Sequence, residues 1–337
     1  MSKSGLSRRK FVWVAGAGLV AGAALPLRSV QAAKSSFTYI NSSGRNSFWS
    51  SPYPIFAEIV KEKSGGEITI VNAGGPEVVG PFQAAEAITN GVFDMGHLIN
   101  SFYAAAMPEA VCLSSGNAPM SAIRQSGAFD LYGKVMRERL NCAFLAAPIS
   151  GVGYFIMTKT PITSLADFKG RKMRSLPIYD PFFQALGAAT FVIVPSEVYT
   201  ALERGVVDGL AWSDVGFADY QFQEILKYIM YPTFYNARTG HLMNAPLLDG
   251  LPEEQRALLL ECAEEAEIAG EAMAKSKSLE EHEQVAKAGV EVTNLPTEEG
   301  EAFVALTQDS LWTRIIADSP TYGPQLKELF DAADKNA

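Results

Sequence analysis

Two side chains in the middle of the chain, Arg174 and Trp212, are of the types that hold a small organic anion. A guanidinium presents planar, paired donors that match the two oxygens of a carboxylate, and an indole presents a broad apolar face for stacking. The stretch between them must bring them together, and its pattern says how. Arg171–Ser175 reads as a short strand ending near Arg174, and an apolar helix from Pro181 to Leu186 is stopped by Gly187. Phe191–Val194 reads as a second strand, followed by a helix with Ser196 as N-cap and Gly205 just past its end. Val206–Trp212 is the closing strand. Strands and helices alternating at this spacing indicate βαβ units and a parallel sheet, whose ligands sit at the carboxyl ends of the strands. Arg174 and Trp212 both fall there. A structural ion pair or a solvated charge is the competing reading of Arg174, and core packing that of Trp212.

The motifs around these residues favour the binding reading. Asp167-Phe168-Lys169-Gly170, Lys172-Met173-Arg174, Gly187-Ala188, Ser196-Glu197-Val198-Tyr199 and Gly205-Val206-Val207-Asp208-Gly209 follow one another in order. Together they resemble the signature of the solute receptors of TRAP (tripartite ATP-independent periplasmic) transporters, in the dicarboxylate-receptor branch. The resemblance implies a periplasmic-binding-protein-like α/β fold: two α/β lobes with mixed sheets, hinge strands and a long helix spanning both lobes. It also implies that Arg174 holds the ligand's carboxylate. In such receptors a second arginine often stands seven residues before the proline of a Pro-Ile pair; here that place is Tyr154, counted from Pro161. The polar residue expected three places after the aspartate–glycine pair is Trp212. Hydroxyl-rich ligands need polar partners when buried, so Tyr154 and Trp212 suggest a monocarboxylate with an apolar or aromatic body. Some relatives that bind keto acids use a glutamate immediately before the matching tryptophan to hold a cation. Ala211 stands there, so no metal site of that form and no cofactor is expected.

Weaker candidates come from other strand ends and loops. Asn100 closes the strand Phe93–Ile99, Glu77 lies in the Gly74-Gly75-Pro76 loop, and Pro195 matches a common pocket wall. Asp214 is read as a partner for a polar group of the ligand or, by preference, as a helix cap.

The first 32 residues are read apart from the fold. Ser7-Arg8-Arg9-Lys10-Phe11-Val12 is a twin-arginine signature, an apolar Ala/Gly/Val stretch follows, and Val30-Gln31-Ala32 offers a cleavage site. That apolar stretch is too short to span a bilayer, so no stable membrane insertion is expected after cleavage, and the expected location is the periplasm. Removing the leader takes five of the 28 basic residues and no acid, so the net charge moves from −9 to −14. So acidic a chain is a poor nucleic-acid partner. Cys112, Cys142 and Cys262 are spaced irregularly and read as small buried residues, with one disulfide left possible.

The rest of the chain supplies lobes rather than catalysis. Residues 33–155 and about 213–252 are assigned to the first lobe, and 156–212 with part of 253–337 to the second. A helix from Pro252 to about Ala288 is shared by both. Further helices are expected over Ser121–Leu140, Gln223–Tyr228, Gly300–Ile316 and Pro324–Asp334. The three histidines, His97, His241 and His282, have no metal spacing, and His282 among Glu280, Glu281 and Glu283 reads as solvated. The expected function is an extracytoplasmic receptor that closes on an organic acid and passes it to a TRAP membrane permease. A receptor for an ATP-driven importer and a twin-arginine-exported enzyme are the alternatives.

Overall fold

In the computed structural model, which describes residues 35–336, eleven strands form two mixed sheets. The leader and its cleavage site, expected over residues 1–32, lie outside the described residues. The strands in chain order are β1 (Ser36–Asn41), β2 (Thr69–Gly74), β3 (Met95–Ile99), β4 (Cys142–Ala146), β5 (Gly153–Thr158) and β6 (Lys172–Ser175). They continue with β7 (Ala189–Val192), β8 (Gly209–Ser213), β9 (Tyr228–Asn236), β10 (Thr239–Asn244) and β11 (Glu291–Asn294).

The first sheet has the order β2-β1-β3-β10-β4, with β1, β2 and β3 parallel and β10 antiparallel to both its neighbours. The second has the order β11-β9-β5-β8-β6-β7. There β6 runs parallel to β7 and β8, while β5 runs antiparallel to β8 and β9. The chain crosses between sheets twice through short segments, residues 147–152 and 237–238.

The strand β9 corrects the expected partition: residues 228–236 pair with β5 in the second sheet, not with the first. The expected helix over Gln223–Tyr228 is a single 3-10 turn, Phe222–Glu224, leading into that strand. A proline argues against a strand because it removes a ladder donor; here Pro232 falls where the register with β5 shifts, between Tyr154 and Ile156. The expected helix Ser121–Leu140 is two helices, Met120–Gln125 and Ala128–Leu140, because Gly127 adopts φ +84° between them. Ser196 lies inside a 3-10 turn, Pro195–Glu197, ahead of the helix Val198–Glu203 and does not cap it.

The helix Glu253–Lys287 is continuous over 35 residues. Leu259, Cys262, Ala263 and Ala266 join the core beneath the first sheet, while Val285 joins the core of the second. Between these it passes the first crossing segment so closely that a Cβ on Gly270 would lie 1.9 Å from the Pro148 carbonyl oxygen. Glu267 accepts a hydrogen bond from the Ala147 amide at 2.7 Å and three from Arg124 at 3.0–3.1 Å. Cys112, Cys142 and Cys262 are all free and buried. Among the described residues no helix is long and apolar enough to cross a membrane.

Candidate functional site

Arg174 is the third residue of β6, paired with Phe191 on β7 and Leu210 on β8. Both faces of its strand are covered, since Met173, Arg174 and Ser175 are all buried, and the Arg174 side chain is only 1% exposed. Nε donates to the Ile193 carbonyl at 3.0 Å, and the guanidinium carbon lies 5.0 Å from the Trp212 ring centroid. Nη2 is buried with no hydrogen-bond partner among the described residues, and no ion pair among them includes Arg174. Burial pushes the guanidinium pKa down to about 10. A buried cation lacking a counter-charge is costly, and the usual compensation is an opposite charge.

Trp212, on β8, is buried beside it, in T-shaped contacts with Tyr220 at 5.1 Å and Phe222 at 4.9 Å. Its Nε1 is a second buried donor with no partner among the described residues. Tyr154, on β5, stands 5.7 Å from Tyr179 and 6.1 Å from Phe234, and burial pushes its hydroxyl up to about 12. These residues line one cavity of about 30 Å³ between the two sheets. The second sheet's side supplies Tyr154, Arg174, Tyr179, Trp212 and Tyr220, with Pro195 at the edge. Ser43, Trp49, Ser101 and Phe102 face them from the first sheet's side.

The two sides are latched above it. Asp219 Oδ2 accepts the Phe48 amide hydrogen at 2.7 Å, and a Cβ on Gly216 would lie 2.7 Å from the Trp49 ring nitrogen. A mouth of about 550 Å³ lies outside this latch, lined by Ser42, Arg45, Ser47, Glu77, Pro195 and Asp219 among others.

Four of the seven residues singled out from the sequence therefore meet around the cavity: Arg174, Trp212, Tyr154 and Pro195. Glu77 lines the mouth, its Oε1 occupied by the Gly75 amide at 2.9 Å. Asn100 does not reach the cavity. Its side chain is buried against Ala110 and Ser114, and its Oδ1 accepts from the Ser101 amide. Asn100 opens the 3-10 turn Asn100–Tyr103, and its neighbours Ile99, Ser101 and Phe102 line the cavity instead. Asp214 also points away, and it is neither a ligand partner nor a cap. It accepts from the Ser278 hydroxyl at 2.9 Å and pairs with His282 on the long helix.

That helix also corrects the reading of His282 as solvated. His282 is half-buried against Phe155 and Phe217, and its bond to Asp214 raises its pKa. Glu281 is fully buried and accepts from the amides of Gly216, Phe217 and Ala218 at 2.9–3.1 Å.

Sequence reasoning missed Trp49, Tyr179 and Tyr220. Tyr179 follows Arg174 by one turn of chain beyond the strand end, and Tyr220 sits in the Phe217–Phe222 aromatic cluster. It also missed a second buried arginine, Arg238, whose Nη1 donates to Leu113 O at 2.6 Å and Ser115 O at 2.9 Å, and whose Nη2 donates to Ala118 O. No group of three or more His, Cys, Asp or Glu that could hold a metal occurs among the described residues.

Residues 42–318 match the family described as bacterial extracellular solute-binding protein, family 7. Among curated relatives, a C4-dicarboxylate-binding periplasmic protein of Rhodobacter capsulatus is 31% identical over 174 residues, 50% of this chain and 52% of the relative. An uncharacterised protein of Sinorhizobium fredii is 30% identical over 196 residues, 55% of this chain and 34% of the relative. The chain thus spans about half the length of the first relative and a third of the second. Among solved structures, a TRAP periplasmic solute-binding protein of Desulfovibrio salexigens, with bound orotic acid, superposes with a TM-score of 0.80 at 21% identity, covering 90% of this chain and 99% of that one. The likeness extends to the two-sheet α/β architecture.

Proposed function

The chain belongs to family 7 of the bacterial extracellular solute-binding proteins, and from that premise we propose that it is an extracytoplasmic receptor that closes on an organic acid through its carboxylate. The observation that carries this is a pair of buried donors, Arg174 Nη2 and Trp212 Nε1, on residues lining one cavity and lacking an acceptor among the described residues. A carboxylate has two oxygens to offer such donors, and its charge offsets the cost of keeping the guanidinium dry. Tyr154 and Tyr179 complete the lining, and Pro195 forms the wall toward the mouth.

Closure follows from the same geometry. The cavity lies where the two sheets face each other, and the Asp219–Phe48 latch is made only when they are together. A carboxylate held by Arg174 and Trp212 of the second side, with Ser43 and Ser101 facing it from the first, shifts the balance toward the shut form by its preference for that form. The loaded receptor would then hand the acid to a TRAP-type permease in the membrane. Arg8 and Arg9 in the leader support export by the twin-arginine route. The family match favours this reading over a receptor for an ATP-driven importer.

Calorimetric titration of the mature protein with a panel of carboxylates tests the proposal. Arg174→Ala should cost at least about 1.5–3 kcal/mol of affinity, the scale of a hydrogen bond to a charged group. Unchanged binding in that variant removes Arg174 from the site.

A further inference from the structure

The Arg174 cavity has room for about one carboxylate group and no more: about 30 Å³ lies open beside the guanidinium. The rest of any ligand has to extend into one of two neighbouring spaces. On one side is the mouth, which shares Ser43, Pro195 and Tyr220 with the cavity. On the other is a recess of about 230 Å³, which shares Ser101 and Phe102 with it. The arginine's cavity adjoins both spaces, which share no lining residue with each other.

The two neighbours differ in chemistry. In the mouth, Asp219 and Glu77 bring negative charge toward an anionic ligand, and both carboxylates already accept backbone amide hydrogens. Arg45, Asn46 and Ser196 also line it, so the mouth is a polar space suited to hydroxyls and charge rather than to an apolar body. The recess is walled by Phe82, Phe102, Val111, Ile178 and Leu311, with Pro108, Pro177 and Pro181 at its sides. Its charged groups, Arg314 and Asp318, are exposed and paired with each other at 2.5 Å. An apolar cavity of about 150 Å³ is enough to take up benzene, so 230 Å³ accommodates one ring or a short chain.

Phe102 is the partition between the cavity and the recess. It is buried and packs on Phe82 at 5.1 Å in a T-shaped contact. It is held there by the turn after β3, which Asn100 fixes through Ala110, Ser114 and the Ser101 amide. A swing of one aromatic ring would join the two spaces.

We propose that the ligand's apolar body passes Phe102 into this recess, which makes the receptor selective for monocarboxylates carrying a ring or a chain of about six carbons. The inference rests on the carboxylate-binding reading above and adds the location of the rest of the molecule. It gives Asn100 a positioning role, since its bonds set where Phe102 stands.

Titration calorimetry of the mature protein with acetate, butyrate, hexanoate, 3-phenylpropanoate and gluconate tests it without any variant. Affinity should rise about fourfold per added methylene, the value of burying one CH₂, up to the length that fills the recess. 3-Phenylpropanoate should match hexanoate, and gluconate should bind more weakly than either. Ala104→Phe, which narrows the recess from its half-buried rim, should bring the hexanoate-to-acetate affinity ratio down toward one. Affinity that is flat with chain length, or gluconate binding tighter than hexanoate, overturns the recess while leaving the carboxylate site standing. Binding that survives in Arg174→Ala, or no binding of any of the five acids, overturns the carboxylate reading and the recess with it.

Discussion

Arg174 and Arg238 form a natural experiment on what a buried guanidinium is for. Both are 1% exposed, and burial pushes both down to about 10 from 12.5. At about 1.4 kcal/mol per pKa unit, each costs the fold about 3 kcal/mol. The folded value lies below the unfolded one, so this penalty is full below about pH 10 and fades only above it; a measurement at pH 7 sees all of it. Arg238 offsets the cost through three carbonyl acceptors, Leu113, Ser115 and Ala118. Arg174 has one, Ile193, and the Trp212 ring. With about 1.5–3 kcal/mol for a charged hydrogen bond and about 0.5–2 for a cation–π contact, Arg174 comes out near zero. Arg174→Met should therefore leave the stability of the ligand-free protein within about 1 kcal/mol of wild type, while abolishing stabilisation by carboxylates. Arg238→Met should lose at least about 2 kcal/mol, because three buried carbonyls are orphaned. Urea unfolding at pH 7, with the slope checked for constancy, reads both. A loss above about 2 kcal/mol in ligand-free Arg174→Met would mean that the guanidinium is a structural member and would refute the reasoning.

Four further outcomes follow from the geometry. Gly270→Ala should destabilise by about 2 kcal/mol or more in thermal unfolding, although a helical alanine ordinarily gains about 1 kcal/mol over glycine, because its Cβ would meet the Pro148 carbonyl. Asp219→Ala should weaken carboxylate binding about fivefold to tenfold, mostly through faster release in stopped-flow traces, since the Phe48 amide loses its acceptor in the shut form. His282 has its pKa raised by Asp214, so this pair's stabilisation is full below about 6.5 and is lost as pH rises through the folded value. The urea midpoint of wild type should accordingly gain on that of Asp214→Asn as pH falls from 8.5 to 5.5; a gap independent of pH would remove the pair. Finally, all three thiols are buried, so a thiol reagent should label none in the native protein and three after denaturation.

The sequence signals succeeded where chemistry and position coincide and failed where burial decides. The placement of Arg174 and Trp212 on adjacent strands was legible because strand ends in a βαβ unit are marked by glycines, caps and apolar runs on either side. That Arg174 has no acidic partner among the described residues was not legible, since it depends on which side chains reach the space from distant elements. The strand β9 was hidden because Pro232 interrupts a run of Tyr, Ile, Met and Phe that otherwise reads as extended. Glu281 and His282 lie in a run of acids, and a run of charges shows nothing of which members face the protein; here those two turn inward and their neighbours outward. Asn100 and Ser101 show the limit at single-residue scale: the strand end was located, but the 3-10 turn that follows it sends Asn100 away from the cavity and its neighbours toward it.

The unbroken helix Glu253–Lys287 imposes a counting rule on the molecule. It is fastened to the first half through Glu267 and to the second through Ser278, Glu281 and His282. Each residue of an α-helix advances the phase by about 100° and the length by 1.5 Å. One residue inserted between Glu267 and Ser278 would turn Glu281 and His282 away from the amides and carboxylate that receive them. Substitutions on the exposed face of this rod are individually negotiable, whereas its length is fixed in register with both halves at once.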